Sequence, residues 1–497
     1  MPCFKDGWPT RVRAVFVVCS LFCIFLFSRV SIASPWIEAS DQRTRQNLEF
    51  LNDAGVISIG LTTWPLMWRD VSLALDSVNR SGLSAAQSRA VNELSFELRY
   101  QSSEVIKRSV KVSASNSRAI FNDSAVQGAE KGMLVHRFDA DGDRISLRLQ
   151  GNLVSDPGED SVETYLDGSY LAGALGNWVF GVGAIDRWWG PSSNTSLILS
   201  NNARPVPALQ FRSQGEQTFE SPWLSWVGPW SFTSFVGRLE SDRVIPHAYL
   251  TGMRLTVRPI KGLELGASRA MMWGGEGRDG DLTAFFKSLT SQDENTKGGS
   301  GNQLGGFDLR YGFSLSDAVS SAVYAQLIGE DEAGFMPSKY LSQFGLESTF
   351  ALDSSASFLK TFVESVNSAA GSLNDPQYNA AYEHSAYKSG YRFRGRSIGA
   401  SFDGDARVLS AGIDLNMSDN RSAGVSVSRY ELNVDGSPGS NAVSRIAQDL
   451  YQVSLSYQCL LLGGRLGLSL SGLSKELETP QPDIERWSFG GTWEYRF

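Results

Sequence analysis

The chain has 497 residues, 45 basic against 53 acidic side chains for a formal net charge of −8, 49 glycines and 11% aromatic residues. That acidic balance leaves no electrostatic footprint for general nucleic-acid binding, and no apolar run beyond the N-terminus approaches the roughly 20 residues a membrane helix requires. Any membrane span must therefore be made of strands.

At the N-terminus Lys5, Arg11 and Arg13 precede an apolar run from Ala14 to Phe27, and Ser31-Ile32-Ala33 supplies small residues for cleavage. Residues 1–33 are expected to be a secretory signal peptide. Cys19 and Cys23 follow the bulky Val18 and Phe22, which argues against a lipoprotein processing site. Removing Lys5, Arg11, Arg13, Arg29 and Asp6 leaves 41 basic and 52 acidic residues, a net of −11. Three of the four cysteines leave with the signal, so Cys459 stands alone and no intramolecular disulfide is expected.

Residues 34–103 carry helical spacing. Ser40 or Asp41 can cap a first helix with Leu48 and Leu51 at i, i+3, and Gly55 is placed to end it. Beyond the Thr63-Trp64-Pro65 link, a second helix carries Val71, Ala74, Leu75 and Val78. Ser84 with Gln87 forms a capping-box pattern for a third, with Val91, Leu94 and Leu98. Each has one apolar stripe, so a small helical bundle packed on the periplasmic end of a larger body is expected.

From about residue 104 to 497 the period becomes 2. Ile145, Leu147 and Leu149 alternate with Arg144, Ser146, Arg148 and Gln150, and Leu409, Ala411, Ile413 and Leu415 alternate with Ser410, Asp414 and Asn416. The final stretch places Trp487, Phe489, Trp493, Tyr495 and Phe497 on one face and Arg486, Ser488, Glu494 and Arg496 on the other. A chain closing on an aromatic strand of this kind suits an outer-membrane β-barrel, where lipid demands the apolar face and closure removes the unpaired edge. Between about 16 and 20 such strands can be marked, each near the ~9 to 11 residues that cross an outer membrane. Charged residues recur at the inward positions, which predicts a wide polar lumen rather than a packed core. With Phe497 at the periplasmic end, Leu461–Gly464 and Ser418–Arg421 read as tight periplasmic turns. Ser474–Glu485 and Asp435–Gln448 then read as outer loops, with Gly274–Gly306 as the longest. Residues 366–396 break this count: parity places them at the periplasmic end or folded into the lumen. Arg392, Arg394 and Arg396 share parity with Ile398, so either Gly395 marks a bulge or these arginines lie outside the spanning section.

Two stretches concentrate the ingredients of a carbohydrate site. Asp186-Arg187-Trp188-Trp189-Gly190-Pro191 is followed by Ser200-Asn201-Asn202-Ala203-Arg204-Pro205. Flat aromatic faces stack on sugar C–H faces, amides bind hydroxyls in both directions, and arginine grips a uronate carboxylate. An interfacial girdle or lumen filling would use the same tryptophans. The second stretch carries Tyr378, Tyr382, Glu383, His384, Tyr387, Tyr391, Arg392, Arg394 and Arg396. It would equally suit an inward-folded plug, with His384 structural. No nucleophile elbow, zinc-binding HExxH, phosphate loop or paired-cysteine metal site is present. The run from Asp139 to Asp143 lacks a calcium loop's twelfth-position acid, where Gln150 falls. No catalytic residue, cofactor or metal is expected.

These stretches carry a resemblance. Ser34-Pro35-Trp36, the pattern of Leu48, Leu51, Asp53 and Gly55, and Thr62-Thr63-Trp64-Pro65-Leu66 with Trp68 resemble the N-terminal segment of the capsule-assembly Wzi family of outer-membrane proteins. RWWGP and LSNNARPVPAL resemble its central signature, and Tyr382-Glu383-His384 with Tyr391–Arg396 a later one. The resemblance covers nearly all of residues 34–497. It implies an all-β transmembrane barrel of about 18 antiparallel strands, monomeric, with a periplasmic helical bundle. It also implies a lectin-like, non-catalytic role in holding capsular polysaccharide or another exopolysaccharide at the cell surface, with outer-membrane lipid around it and the export machinery as a candidate partner. The matched polar and aromatic residues Arg187, Trp188, Trp189, Asn201, Asn202, Arg204, Tyr382, Tyr391, Arg392, Arg394 and Arg396 are the candidate polysaccharide contacts. The charged lumen alternatively suits a porin or substrate-specific channel, and an outer-membrane hydrolase is a third class.

Overall fold

The computed structural model describes residues 35–497 apart from 104–105, 126–129, 143, 157–161, 290–300, 334–335, 373–374 and 438–440. The expected signal peptide, residues 1–33, lies outside the described residues.

Eighteen antiparallel strands close into one barrel. They are β1 (Lys107–Ser115), β2 (Gly132–Asp141), β3 (Ile145–Ser155), β4 (Thr164–Tyr165 continued by Tyr170–Leu175), β5 (Trp178–Gly183) and β6 (Ala208–Ser213). Next come β7 (Trp230–Arg238), β8 (Tyr249–Ile260), β9 (Leu263–Trp273), β10 (Asn302–Ser316), β11 (Val319–Ala333) and β12 (Met336–Leu352). The last six are β13 (Ser357–Asn367), β14 (Arg407–Asn416), β15 (Ser422–Leu432), β16 (Gln448–Leu461), β17 (Gly464–Leu473) and β18 (Trp487–Arg496). Each pairs with its chain neighbour, and β18 pairs with β1 from Gly490↔Ser115 to Arg496↔Ser109, so no edge is left open.

The alternation accounts for the outer surface. Register sets Ile413 beside Val425, Val425 beside Leu455, Leu455 beside Leu470 and Leu470 beside Phe489. This exposed apolar row crosses five strands. Water would penalise such a row; hydrocarbon favours it.

Three helices precede the barrel: α1 (Gln42–Asp53), α2 (Trp68–Asp76) and α3 (Ala85–Gln101). Asp41 caps α1 through the Thr44 amide, Gly55 takes φ +70° just beyond it, and Ser84 and Gln87 form the expected capping box of α3. Leu48, Leu51, Val71, Ala74, Val91 and Leu94 are buried together. Val78 falls two residues past the end of α2.

The bundle is a plug rather than a lid. Asp53 on α1 receives both Arg310 terminal nitrogens at 2.5 and 2.8 Å, and Arg310 also pairs with Glu347. Lys360 bridges Glu49 at 2.5 Å and Glu347 at 2.7 Å. The link after α1 is clamped as well: Glu264 accepts from the Leu61 amide and the Thr62 hydroxyl, and Arg254, paired with Asp308, reaches Thr62 and Thr63. The inward charges therefore serve to seat α1 inside the wall.

Part of the lumen is filled by other segments of the chain as well, while a large polar cavity remains beside them, lined by inward-facing residues such as Lys111, Asp414, Ser456, Thr492 and Glu494, in keeping with the expected polar interior. The connections 184–207 and 368–406 fold inward, and Leu197, Ile198, Tyr382, Tyr391, Ile398 and Phe402 pack on the inward-facing Leu250, Met272, Leu304, Ile328 and Leu341. Inward positions thus change along a strand, from charged near the helices to apolar near these loops, because each level meets a different partner. The 368–406 connection lies at the end away from the termini and is longer than 274–301; Gly306 belongs to β10. Arg392–Phe393 and Arg396–Ser397 form a small hairpin turning at Arg394 and Gly395, both with positive φ. The arginines sit outside the spanning strands, so no bulge is needed.

Candidate functional site

The connection leaving β5 enters the lumen at once. Trp188 and Trp189 pair with Trp64 and Thr63 in a two-residue ladder, which ties this loop to the link between α1 and α2. Trp188 is fully buried, and its indole N–H donates to the Ser192 carbonyl at 2.7 Å. The Arg45 guanidinium lies over both Trp64 and Trp188. Trp189 meets Phe235 edge-on, and its carbonyl accepts from Gln326 and Ser196. Arg187 braces the loop by donating to the Ile185 and Val206 carbonyls and to Gln210, and burial pushes its guanidinium down to about 10.

Tyr382 and Tyr391 are buried posts between the two inward loops. Their hydroxyls donate to the Leu197 carbonyl at 2.6 Å and the Ile198 carbonyl at 2.9 Å. Arg392 pairs with Glu383 and Asp403 within the second loop. His384 accepts at its Nδ1 from the amides of Ala386 and Tyr387, a local cap.

The remaining candidates converge. Arg396 donates from Nε and Nη2 to the carbonyl and side-chain oxygen of Asn202, at 2.8 and 2.7 Å, while Asn202 donates to the Ser397 carbonyl. Asn201 donates to the Ser124 carbonyl, tying in the connection after β1. Arg204 pairs with Asp167 at 2.6 Å and lies over the Tyr165 ring, 3.7 Å from its centre. Asn201, Asn202, Arg204, Arg394 and Arg396 all line one cleft. Arg187, Trp188, Trp189, Tyr382, Tyr391 and Arg392 lie outside its wall.

The opposite wall comes from residues the motif reading passed over. Arg137 and Arg148 on β2 and β3 flank Glu38, with Arg148 also held by Asp139, and Gln150 bonds Arg137 and Asn152. Trp36 and Tyr165 add aromatic faces. The signal for this wall was available in the polar alternate positions of β3, which period-2 alternation points inward. Asp186 stands among these groups. Burial, reinforced by Glu38 and Asp167, raises its carboxyl to about 7, against partial relief from Arg187 and Lys111. The cleft therefore offers guanidinium donors, amides, a carboxylate poised near neutrality and aromatic side chains, a set that can hold polyhydroxylated, acid-bearing chains. Among the described residues no cluster of His, Cys, Asp or Glu could hold a metal ion.

The family description of the capsule assembly protein Wzi matches residues 101–481. The chain belongs to the Wzi family. A solved member, the Escherichia coli outer-membrane protein Wzi, described as a carbohydrate-binding β-barrel involved in group 1 capsule assembly, superposes with a TM-score of 0.81 at 25% identity. The match covers 95% of this chain and all of that one. An uncharacterised 55.8 kDa protein of the Klebsiella pneumoniae cps region is 28% identical over 359 residues, 69% of this chain and 68% of its own. The Wzi barrel is an outer-membrane structure, which agrees with the apolar outer face of this one.

Proposed function

We propose that this Wzi-family barrel binds capsular or related exopolysaccharide in the cleft around Arg204, Asn202 and Arg396, and so helps attach or assemble it at the cell surface without catalysis. The observation that carries the reading is the convergence, in one cleft, of arginine and asparagine side chains from two loops nearly 200 residues apart. The description of the E. coli relative as carbohydrate-binding supports it. The helical end faces the periplasm, where a monomeric barrel would meet the export machinery. A channel role fits less well, because α1 and the two inward loops occupy part of the lumen and obstruct a through path.

Purified protein should bind the surface polysaccharide of the producing strain, and Arg204→Ala should weaken that binding about ten- to a hundredfold, the worth of a charge-assisted hydrogen bond of ~1.5–3 kcal/mol. The Arg204 variant should keep the heat-modifiable gel mobility of a folded barrel. Absence of binding to any glycan of that strain would overturn the proposal.

Asp186 makes the binding pH-dependent. Its folded value of about 7 lies above the ordinary 3.8, so the folded protein takes up a proton as pH falls through 7. The cost of the ionised carboxyl, present above that pH, is relieved below it. An acid-bearing oligosaccharide should therefore bind several-fold more tightly at about pH 6 than at about pH 8. Calorimetric titration of Asp186→Asn should show a flat profile over that range.

A further inference from the structure

The connection from β6 to β7, residues 214–229, lies at the same end of the barrel as both termini. Ser221 to Trp230 reads SPWLSWVGPW, without a charge. Trp223 is 86% exposed and Trp226 70%, large apolar faces that water disfavours.

Their exposure is held by the backbone. The Gln217 and Trp230 amides and carbonyls bond each other at 3.1 and 2.8 Å, and the Arg258 amide on β8 donates to the Pro229 carbonyl. A Cβ at Gly228, which sits at φ +71°, would clash with the Arg258 carbonyl, so the loop presses closely on the end of β8. The base of the loop is fixed in this way, and Trp223 and Trp226 project from it.

The same rings continue an aromatic series on the outer wall. Trp178 on β5 lies 5.9 Å from Phe211 on β6, Phe211 lies 5.6 Å from Phe232 on β7, and Phe219 in the loop stacks on Trp230 at 5.4 Å. The outer faces of these strands are lipid-covered in a Wzi barrel, and Ile260 beside the loop is also exposed. Trp223, Leu224 and Trp226 extend that lipid-facing surface past the ends of the strands. Tryptophan favours the level where acyl chains meet headgroups, since its ring is apolar and its N–H polar.

We infer that the 219–230 loop is a lipid anchor, inserting Trp223 and Trp226 into the interfacial region of the phospholipid leaflet on the helix-bearing side of the barrel. A protein partner is the less economical occupant: the aromatic series begins on strand faces that lipid covers, and the stretch from Ser221 to Trp230 carries no charge with which to orient another chain, Glu220 before it being the one acid of the loop.

The test compares full-length protein with a Trp223→Phe/Trp226→Phe variant in phosphatidylethanolamine–phosphatidylglycerol vesicles, with and without brominated acyl chains. The difference in emission between the two proteins reports these rings alone. It should be blue-shifted, strongly quenched by brominated lipid and weakly quenched by acrylamide. Difference emission that acrylamide quenches and brominated lipid does not would place the loop in water and overturn the inference. So would emission that neither reaches. Heat-modifiable mobility of both proteins confirms that each barrel is closed, and because no glycan is present the result is independent of polysaccharide binding.

Discussion

Replacing Arg310 with alanine should loosen the helical plug from the barrel wall and raise ion conductance across planar bilayers well above the low level expected of the wild type. Arg310 is buried on β10, with Asp53 of α1 on one side and Glu347 of β12 on the other. Removing its guanidinium leaves Asp53 and Glu347 as buried carboxylates, with Lys360 shared between Glu347 and Glu49, the latter also paired with Arg45. Breaking a buried ion pair from one side costs ~3–5 kcal/mol, because the remaining charge is stranded away from water. The strands keep every backbone bond of the ladder, so this cost falls on the docking of α1.

The expected result is therefore specific in where it appears. Heat-modifiable mobility should persist, protease should cut first within the N-terminal helices, and single-channel recordings should show openings absent from the wild type. Arg310→Lys should fall between the two, since an ammonium restores charge without the bidentate grip on Asp53. Unchanged conductance and protease resistance in Arg310→Ala would mean that apolar packing, such as Phe50 stacked on Phe358, holds α1 by itself.

The barrel was legible in the sequence because lipid imposes its demand residue by residue. Ile413, Leu455 and Phe489 each announce an outward face through their own polarity, whatever their neighbours do. The three helices were legible for the same reason, through the capping box at Ser84 and the stripe of Leu48 and Leu51. The inward faces gave a poorer account of themselves. Arg254, Arg310 and Lys360 read as a polar lumen, yet each is satisfied by a carboxylate or by the N-terminal segment. A charged inward residue says that a polar partner exists, and only the three-dimensional path of the chain says whether that partner is water or a helix.

The candidate cleft divides along a similar line. Arg204, Asn202 and Arg396 could be picked out by chemistry, because a glycan site needs such groups. Its far wall was legible only as inward-facing polar positions such as Arg148 and Gln150, because strand register and loop closure rather than a local motif bring Arg137, Arg148 and Asp167 to the cleft. Composition also could not tell a ring that stacks on sugar from one that packs against another ring, and Trp188 stands where that distinction matters.

Trp188→Ala should be among the most damaging single changes in the lumen. The side chain is fully buried beside its ladder partner Trp64, beneath the Arg45 guanidinium, and joins the core formed by the helices. Truncating a packed tryptophan typically costs ~3–5 kcal/mol. The cavity would open where loop 184–207 is pinned to the link after α1, so the loop that carries Asn201, Asn202 and Arg204 would lose its anchor. Thermal unfolding followed by tryptophan emission should show the loss, with glycan binding weakened as a consequence. Trp188→Phe separates that consequence from direct contact: it keeps a ring in the core and gives up the bond to the Ser192 carbonyl, a change of ~0.5–1.5 kcal/mol. A folded Trp188→Phe protein should bind polysaccharide as the wild type does. If its affinity fell as far as that of Arg204→Ala while its melting temperature held, Trp188 would be a sugar contact and the buried ladder would have to open for the ligand to reach it.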